Sequence, residues 1–127
     1  MVIVDPGAVE TTEPPYQPVT PAIVAELRRI VGESYVIYDE PERMLDYAHD
    51  EVASKEHAHM PEVVIKSSTT EEISEIVKLA NRERIPVTPR GAGSGLSCGA
   101  VPIYGGILLS LERMNRILEI DRDNLVV

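Results

Sequence analysis

Four glycines lie within residues 89–99, in the order Pro-Arg-Gly-Ala-Gly-Ser-Gly-Leu-Ser-Cys-Gly. This spacing favours a backbone that adopts positive φ angles or approaches a ligand without a Cβ in between. Successive N–H groups in mixed right- and left-handed conformations form a concave nest that attracts anions. Arg90 adds a permanent positive charge, and the hydroxyls of Ser94 and Ser97 add hydrogen-bond donors. We therefore predict a phosphate-binding loop.

The spacing of these glycines differs from that of two widespread phosphate-binding motifs. The dinucleotide fingerprint G-x-G-x-x-G fails, because its last position falls on Leu96 or on Cys98. A P-loop requires Gly-Lys followed by Ser or Thr, and the sequence has no Gly-Lys pair. Both motifs also open a helix, which the segment Ala-Val-Pro-Ile-Tyr-Gly-Gly over 100–106 cannot do. The loop is therefore predicted to present backbone amides rather than a helix N-terminus.

A strand, helix, strand unit leads into this loop. Residues 63–65 are the β-branched run Val-Val-Ile, which is typical of a strand. Thr69 and Glu72 have the spacing of a capping box that opens a helix. A second strand is predicted over 85–88, ended by Pro89. The core-facing stripe of the helix is predicted to be Ile73, Ile76, Val77 and Ala80. Such a unit normally joins parallel strands by a right-handed crossover, and open α/β sheets bind ligands at the carboxyl ends of such strands.

An earlier helix is predicted to begin at the N-cap Thr20 and to end at Gly32. Pro21 occupies its first position, where a missing N–H does no harm. Its apolar face is predicted to contain Ile23, Val24, Leu27, Ile30 and Val31. A short extended piece over 36–38 and a helical turn over 41–47 follow.

The segment after the loop predicts a buried strand over 107–110 and a helical turn over 111–115. A hairpin turn at 121–124 would join strands at 117–120 and 125–127. The sequence thus stops in mid-strand, so we expect a fragment or truncated product with an unpaired sheet edge.

The composition restricts the classes of partner. A net charge of -9 argues against nucleic acid and anionic membrane surfaces. The core must be aliphatic, since the chain has no Phe and no Trp. The single cysteine excludes an internal disulfide and suits the cytoplasm. No apolar run approaches the ~20 residues of a transmembrane helix, and the N-terminus lacks the pattern of a signal peptide.

The segment 50–60 carries side chains that could be recruited to a metal, with His57 and His59 on one face if the chain is extended. His49, Asp50, Glu51 and Glu56 lie nearby. The gap between His49 and His57 matches no ligand motif, however. We interpret this segment as a polar surface loop and predict no metal site.

The order of residues from 85 to 121 closely resembles the N-terminal FAD-binding segment of the FAD-linked oxidases, the vanillyl-alcohol oxidase and p-cresol methylhydroxylase type flavoproteins. The nearest branch resembles the glycolate oxidase flavin subunit and D-lactate dehydrogenase group. The resemblance extends upstream to Tyr-Ala-His-Asp at 47–50 and to the strand at 61–65. It implies an α/β (α+β) fold, the first lobe of a p-cresol methylhydroxylase type (PCMH-type) FAD-binding domain. That lobe has a small, mainly parallel sheet flanked by helices, truncated here before the second lobe.

By this resemblance the loop wraps the FAD pyrophosphate, while Arg90 gives charge or anchors the loop. The residues implied to bind the cofactor are Pro89, Arg90, Gly91, Ala92, Gly93, Ser94, Gly95, Gly99, Ala100, Val101 and Pro102. Ser94 stands where Thr is commoner in the family, and some relatives attach FAD covalently through a His there, so a serine implies noncovalent FAD. Cys98 stands where Gly is common, and we interpret it as a packed thiol without a redox role.

The nearest branch oxidises 2-hydroxy acids such as glycolate or D-lactate at the flavin ring, so an FAD-dependent oxidoreductase of that class is the implied function. No residue of this chain can be nominated as catalytic, because the family places the base and the substrate clamp in later segments; we therefore expect the chain alone to be inactive. Tyr38, Tyr47 and Tyr104 are interpreted as packing residues.

Two alternatives remain open. The chain could belong to an FAD-linked oxidase of another substrate class, or be a nonenzymatic, split-subunit module. The second alternative needs a partner subunit or a homo-oligomer to complete the flavin site. The predicted organisation is a flexible Pro-rich tail at 1–19, a helical segment with a connecting loop at 20–60, and an incomplete first lobe at 61–127.

Overall fold

A four-stranded sheet forms the centre of the chain. The computed structural model describes residues 15–52 and 55–127. Its strands are β1 (Val36–Ile37), β2 (Val63–Lys66), β3 (Val87–Arg90) and β4 (Ile107–Ser110), in the order β1-β2-β4-β3. Strand β4 pairs in parallel with both β2 and β3, and β1 adds an antiparallel edge to β2. The prediction of a small, mainly parallel sheet flanked by helices is confirmed.

Helix α1 (Pro21–Val31) has the predicted bounds. The hydroxyl of Thr20 accepts a hydrogen bond from the N–H of Ile23 at 3.4 Å. Gly32 ends the helix at a φ of 93°, a conformation that only glycine adopts without strain. Four of the five predicted face residues are buried, and the fifth, Ile30, packs against the core from a half-buried position.

Helix α3 (Thr70–Glu83) is capped by the hydroxyl of Thr69, which accepts from the N–H of Glu72 at 3.1 Å. The carboxylate of Glu72 accepts from the N–H of Ser68 at 2.7 Å, one residue before the position that a capping box would use. The prediction that Val77 belongs to the core-facing stripe of α3 is wrong, because Val77 is exposed and Leu79 is buried in its place. At about 100° per residue, Leu79 lies on the face of Ile76, whereas Val77 points to its side.

Hydrophobic layers cover both faces of the sheet. Alternate residues of a strand point to opposite faces, so Val63 and Ile65 face one layer while Val64 faces the other. Helices α1 and α3 cover the first layer. Helix α2 (Pro41–Met44) and the 3-10 turn Leu45–Tyr47 that continues it contribute Met44 and the half-buried Tyr47 to the second. The predicted helical turn over 41–47 is therefore confirmed.

Strand β3 does not end before Pro89 as predicted, because it includes Pro89 and Arg90. Among the described strands it is an edge strand, with β4 as its only neighbour. The carbonyl of Pro86 accepts a hydrogen bond from the N–H of Ile107, and the carbonyl of Arg90 accepts one from the N–H of Leu111, each at 2.9 Å. In β3 the backbone groups of the even-numbered residues therefore point toward β4. Pro89 faces the open edge, where its missing N–H removes no ladder bond. The sheet thus tolerates a proline that the sequence predicted as a strand terminator.

The strands predicted around residues 121–124 are not formed. Asp121 and Val126 make a single antiparallel bridge, with hydrogen bonds of 2.8 and 3.0 Å in the two directions. The residues Leu118 and Leu125 are 87% and 91% exposed. A lone two-stranded ribbon with no covered face is marginal, which explains why the turn forms without its strands.

Residues 1–14 of the predicted tail lie outside the described part of the chain. Closer to the fold, Gln17 donates its N–H to the carbonyl of Arg84 at 3.0 Å, and Val19 is buried in the core. Within residues 15–52 and 55–127, no helix combines the length and the apolar character needed to cross a membrane.

Candidate functional site

The glycine loop, residues 91–99, follows β3 at the carboxyl edge of the parallel sheet. The last residues of the three parallel strands, Lys66, Ser110 and Arg90, lie side by side in register at this edge. The loop therefore lies where open α/β sheets usually bind ligands.

Arg90 anchors a second segment of the chain to this edge. Its guanidinium donates from Nη1 to the carbonyl of His49 at 2.6 Å and from Nη2 to the carbonyl of Asp46 at 3.1 Å. The residue is 9% exposed, and Cζ lies 5.8 Å from the centre of the Tyr47 ring. These hydrogen bonds hold the 46–49 segment, and the two roles predicted for Arg90 at the glycine loop stay predictions. Its charge stays behind the loop.

The glycines of the loop differ in what surrounds them. Gly93 has a φ of 73°, and a Cβ there would overlap the Arg90 guanidinium. A Cβ at Gly91 or at Gly99 would meet no atom of the described residues within 4 Å. The protein's own packing therefore requires glycine at 93. Nothing within the described chain requires it at 91 or 99, where a bare backbone leaves room for a ligand.

The backbone N–H groups of residues 91–97 donate no hydrogen bond within the described part of the chain. Most of these residues are exposed, as are the hydroxyl-bearing residues Ser94 and Ser97. Uncommitted amides on a glycine-rich loop suit an anion with several oxygens, and Arg90 supplies a positive charge behind them. The residues present therefore fit a phosphate-bearing cofactor.

The remaining predicted site residues surround the loop. Pro89 is exposed on the open edge of β3, and Ala100 is half-buried. Val101 and Pro102 are buried, and their backbone groups bond within the chain, as in Val101 N–H to Cys98 O at 3.2 Å. Val101 and Pro102 therefore support the glycine loop from its buried side. Their side chains face the interior of the fold.

Cys98 is half-buried rather than enclosed, and its φ is 58°. This left-handed conformation disfavours a residue with a Cβ and is adopted freely by glycine. The backbone conformation thus suits the glycine that the family resemblance implies at this position. The N–H of Cys98 donates to Oδ2 of Asp50 at 2.9 Å.

Asp50 is the site residue that the sequence did not identify, having been considered only for a metal. It is 6% exposed, and its Oδ1 accepts from the N–H of Val52 at 3.1 Å. Its second oxygen reaches Cys98, 48 residues away, and no local pattern signals such a pairing. Among the described residues, no group of three or more His, Cys, Asp or Glu side chains could hold a metal ion.

Beside the loop, Lys66 and Glu112 form an ion pair of 2.5 Å. Tyr47 and Ser110 donate their hydroxyls to Oε2 of Glu112 at 3.1 and 3.2 Å. Burial raises the pKa of Glu112, but Lys66 and the two hydroxyls outweigh it, and the pKa lies below its ordinary value. The hydrogen bond to Glu112 raises the pKa of Lys66. The cluster joins the ends of β2 and β4 to the turn that carries Tyr47.

The three tyrosines interpreted as packing residues have different surroundings. Tyr38 and Tyr47 are half-buried against the two hydrophobic layers. Tyr104 is 57% exposed and faces the ring of Tyr16 at 5.4 Å between ring centres. Tyr38 and Tyr47 therefore pack against the core as predicted, whereas Tyr104 does not.

Comparison with protein-family models matches residues 61–127 to the FAD binding domain family. The matched range includes β2, α3, β3, the glycine loop and β4.

Similar curated proteins are longer than this chain. A D-lactate dehydrogenase of Anaerostipes hadrus is 43% identical over 112 residues, which are 88% of this chain and 23% of that protein. The glycolate oxidase subunit GlcD of Bacillus subtilis is 42% identical over 81 residues, which are 64% of this chain and 17% of that protein. The chain thus spans less than a quarter of the length of these relatives.

Among solved structures, p-cresol methylhydroxylase with bound substrate superposes with a TM-score of 0.67 at 27% identity. The alignment covers 77% of this chain and 19% of that one. The architecture predicted from the resemblance is therefore confirmed.

Proposed function

This chain belongs to the FAD binding domain family, and from that membership we propose that its glycine loop holds the pyrophosphate of FAD in a 2-hydroxy-acid oxidoreductase. FAD is the cofactor of this domain. When bound, FAD supplies a ring that accepts a hydride equivalent from a substrate carbon. The observation that carries the proposal is the run of uncommitted backbone amides over 91–97, above the Arg90 guanidinium.

In this proposal the amides donate to phosphate oxygens, and Ser94 adds its hydroxyl. Arg90 contributes its charge through the field behind Gly93, and its two terminal nitrogens are directed to the carbonyls of His49 and Asp46. The cofactor is held noncovalently, since the serine hydroxyl at 94 is a hydrogen-bond donor and not the histidine that serves as an attachment point in some relatives. Pro89, Val101 and Pro102 shape the loop.

The proposed substrate is a 2-hydroxy acid. D-Lactate and glycolate, which appear in the names of the two relatives, both belong to this class. No residue of the described chain is proposed as the base or the substrate clamp. The family resemblance implies that later segments carry those roles.

A split module that needs a second polypeptide is supported by a different observation. Ile117, Leu118 and Leu125 are 71%, 87% and 91% exposed on neighbouring segments of the C-terminal part. Apolar side chains exposed together favour burial against another chain. Light scattering of the isolated chain tests this candidate, since a strictly monomeric chain with FAD affinity of its own would contradict it.

The main test is a titration of the 127-residue chain with FAD, followed by flavin fluorescence. Gly91→Val adds a side chain that the described residues leave room for but that would collide with a ligand bound against the loop. We expect it to weaken FAD binding about tenfold or more, which corresponds to about 1.4 kcal/mol. The control Ala22→Val adds bulk on the exposed side of α1 and should leave the affinity unchanged. A chain that binds no FAD, or a Gly91→Val variant that binds like the original, contradicts the proposal.

A further inference from the structure

The buried carboxylate of Asp50 lies directly behind the glycine loop. Both of its described partners are backbone N–H groups, those of Val52 and Cys98. A Cβ placed on Gly95 would lie 3.7 Å from Oδ2 of Asp50, so the carboxylate also touches the middle of the loop. A carboxylate that accepts such bonds fixes the direction of the peptide groups that donate them.

The residue after Asp50 fixes a second peptide group of the loop. The N–H of Glu51 donates to the carbonyl of Gly95 at 3.2 Å, so this carbonyl points toward the 50–51 segment. The described chain has no cis peptide bond, and in a trans peptide the C=O and the next N–H point in opposite directions. The N–H of Leu96 therefore points away from the 50–51 segment, and Leu96 itself is an exposed residue.

The same reasoning sets one boundary of an anion site. Because the N–H of Cys98 points to Asp50, the carbonyl of Ser97 points away from it. An exposed carbonyl oxygen repels a phosphate oxygen. The favourable region therefore lies on the Gly93 side of Leu96, over the positive charge of Arg90.

The position of Asp50 is itself fixed by the sheet. Arg90 holds the carbonyls of Asp46 and His49, and the N–H of His59 donates to the carbonyl of Ala48 at 2.9 Å. The segment 46–50 is thereby tied to the end of β3, the strand from which the loop starts. The carboxylate and the loop share one rigid support.

We propose that the 50–51 segment positions the glycine loop, with the Asp50 carboxylate holding the Cys98 end and the Glu51 N–H orienting the Gly95 peptide, so that the Leu96 N–H donates to a phosphate oxygen of the dinucleotide. This inference rests on the proposed function and adds to it one specific donor and Asp50 as a positioning residue of the loop that carries it. Asp50 acts through the loop and does not touch the cofactor.

The first test removes the donor alone. Leu96→Pro deletes the N–H at a residue whose side chain is 74% exposed and whose φ is not in the positive region. Leu96→Ala is the matched control, because it shortens the side chain and keeps the N–H. We expect Leu96→Pro to weaken FAD binding about tenfold, as for the loss of one charge-assisted hydrogen bond, and Leu96→Ala to change it less than about twofold. Equal affinities of the two variants overturn the inference.

The second test removes the support. In ¹⁵N-labelled protein, Asp50→Asn leaves one acceptor oxygen for two amides, so the amide exchange of Cys98 or Val52 should accelerate about tenfold or more. FAD affinity should fall with it. Asp39→Asn is the control, since it removes the same charge from an exposed residue whose φ of 58° asparagine tolerates. Dispersed amide signals verify that each variant is folded. If Asp50→Asn does not fold, the Leu96→Pro variant still tests the inference.

The outcomes separate the inference from the proposed function. Unchanged exchange at both amides in Asp50→Asn overturns the positioning role, whether or not FAD binds. Faster exchange with unchanged FAD affinity also overturns it. If FAD shifts no amide signal of residues 91–99 in the original chain, the proposed function fails, and the inference fails with it.

Discussion

The guanidinium of Arg90 lies so close to Gly93 that a Cβ on the glycine would overlap Nη2 and Cζ. The same guanidinium holds the carbonyls of Asp46 and His49. Gly93 is thus required by the chain's own packing, before any ligand is considered. The glycine loop thus packs against an arginine that also donates hydrogen bonds to the segment leading to Asp50.

Gly93→Ala is expected to destabilise the chain by about 1–3 kcal/mol, because the methyl group overlaps Arg90 and the φ of 73° disfavours a Cβ. Urea unfolding followed by circular dichroism measures the change. Gly91→Ala, where the added methyl meets no atom of the described part of the chain, should change the free energy of unfolding by less than about 0.5 kcal/mol.

A double-mutant cycle identifies the cause of this loss. In an Arg90→Ala background the overlap is gone, so Gly93→Ala should cost less than it does with Arg90 present. The same cost in both backgrounds would show that backbone strain alone is responsible and that the contact is without effect.

Cys98→Gly is expected to stabilise the chain by about 0.5–1 kcal/mol. The φ of 58° strains a residue with a Cβ, and glycine relieves that strain while keeping the N–H that donates to Asp50. Cys98→Ala removes the thiol but keeps the Cβ, so it should give no comparable gain. Thermal unfolding of the original chain, Cys98→Gly and Cys98→Ala measures the two changes in stability. An equal gain in the two variants would refute the strain argument.

Ser67→Ala is expected to stabilise the chain by about 1 kcal/mol, because Oγ of Ser67 is fully buried and has no hydrogen-bond partner among the described residues. Ser110→Ala makes the same change at another buried serine, whose hydroxyl donates to Glu112. It should destabilise the chain by about 1 kcal/mol. Chemical denaturation of both variants checks the opposite signs, and a loss of stability in Ser67→Ala would indicate that its hydroxyl has a partner.

The ion pair of Lys66 and Glu112 should make stability depend on pH at both extremes. The pKa of Glu112 is lowered on folding, so its contribution is present above its unfolded value of about 4.3 and lost as the pH falls through the folded value. The pKa of Lys66 is raised, so its contribution is present below about pH 10.4 and lost as the pH rises through the folded value.

Glu112→Gln measures this contribution. The difference in unfolding free energy from the original chain should be about 1 kcal/mol or less at pH 7, because the pair is partly exposed, and should vanish below the folded pKa of Glu112. The control Glu75→Gln breaks an exposed pair with Lys78 and should show almost no difference at any pH. A difference for Glu112→Gln that is equal at pH 7 and pH 3 would contradict the assignment.

Local signals determined the elements that carry the site. The caps Thr20 and Thr69 predicted where α1 and α3 begin, and apolar runs predicted β2 and β4, because these features depend on residues within a few positions of one another. The glycine spacing located the loop. Its resemblance to one family supplied the cofactor and the architecture.

Only the tertiary structure decided what holds the loop. The partners of Arg90 lie 41 and 44 residues away, and Asp50 lies 48 residues from the amide it accepts. The tolerance of Pro89 within β3 likewise depends on the order of strands, which leaves that residue on an open edge. A pattern in sequence records periodicity and turn chemistry along the chain. A buried carboxylate or guanidinium selects whichever backbone groups the finished sheet brings to it, and those are set by the packing of segments far apart in sequence.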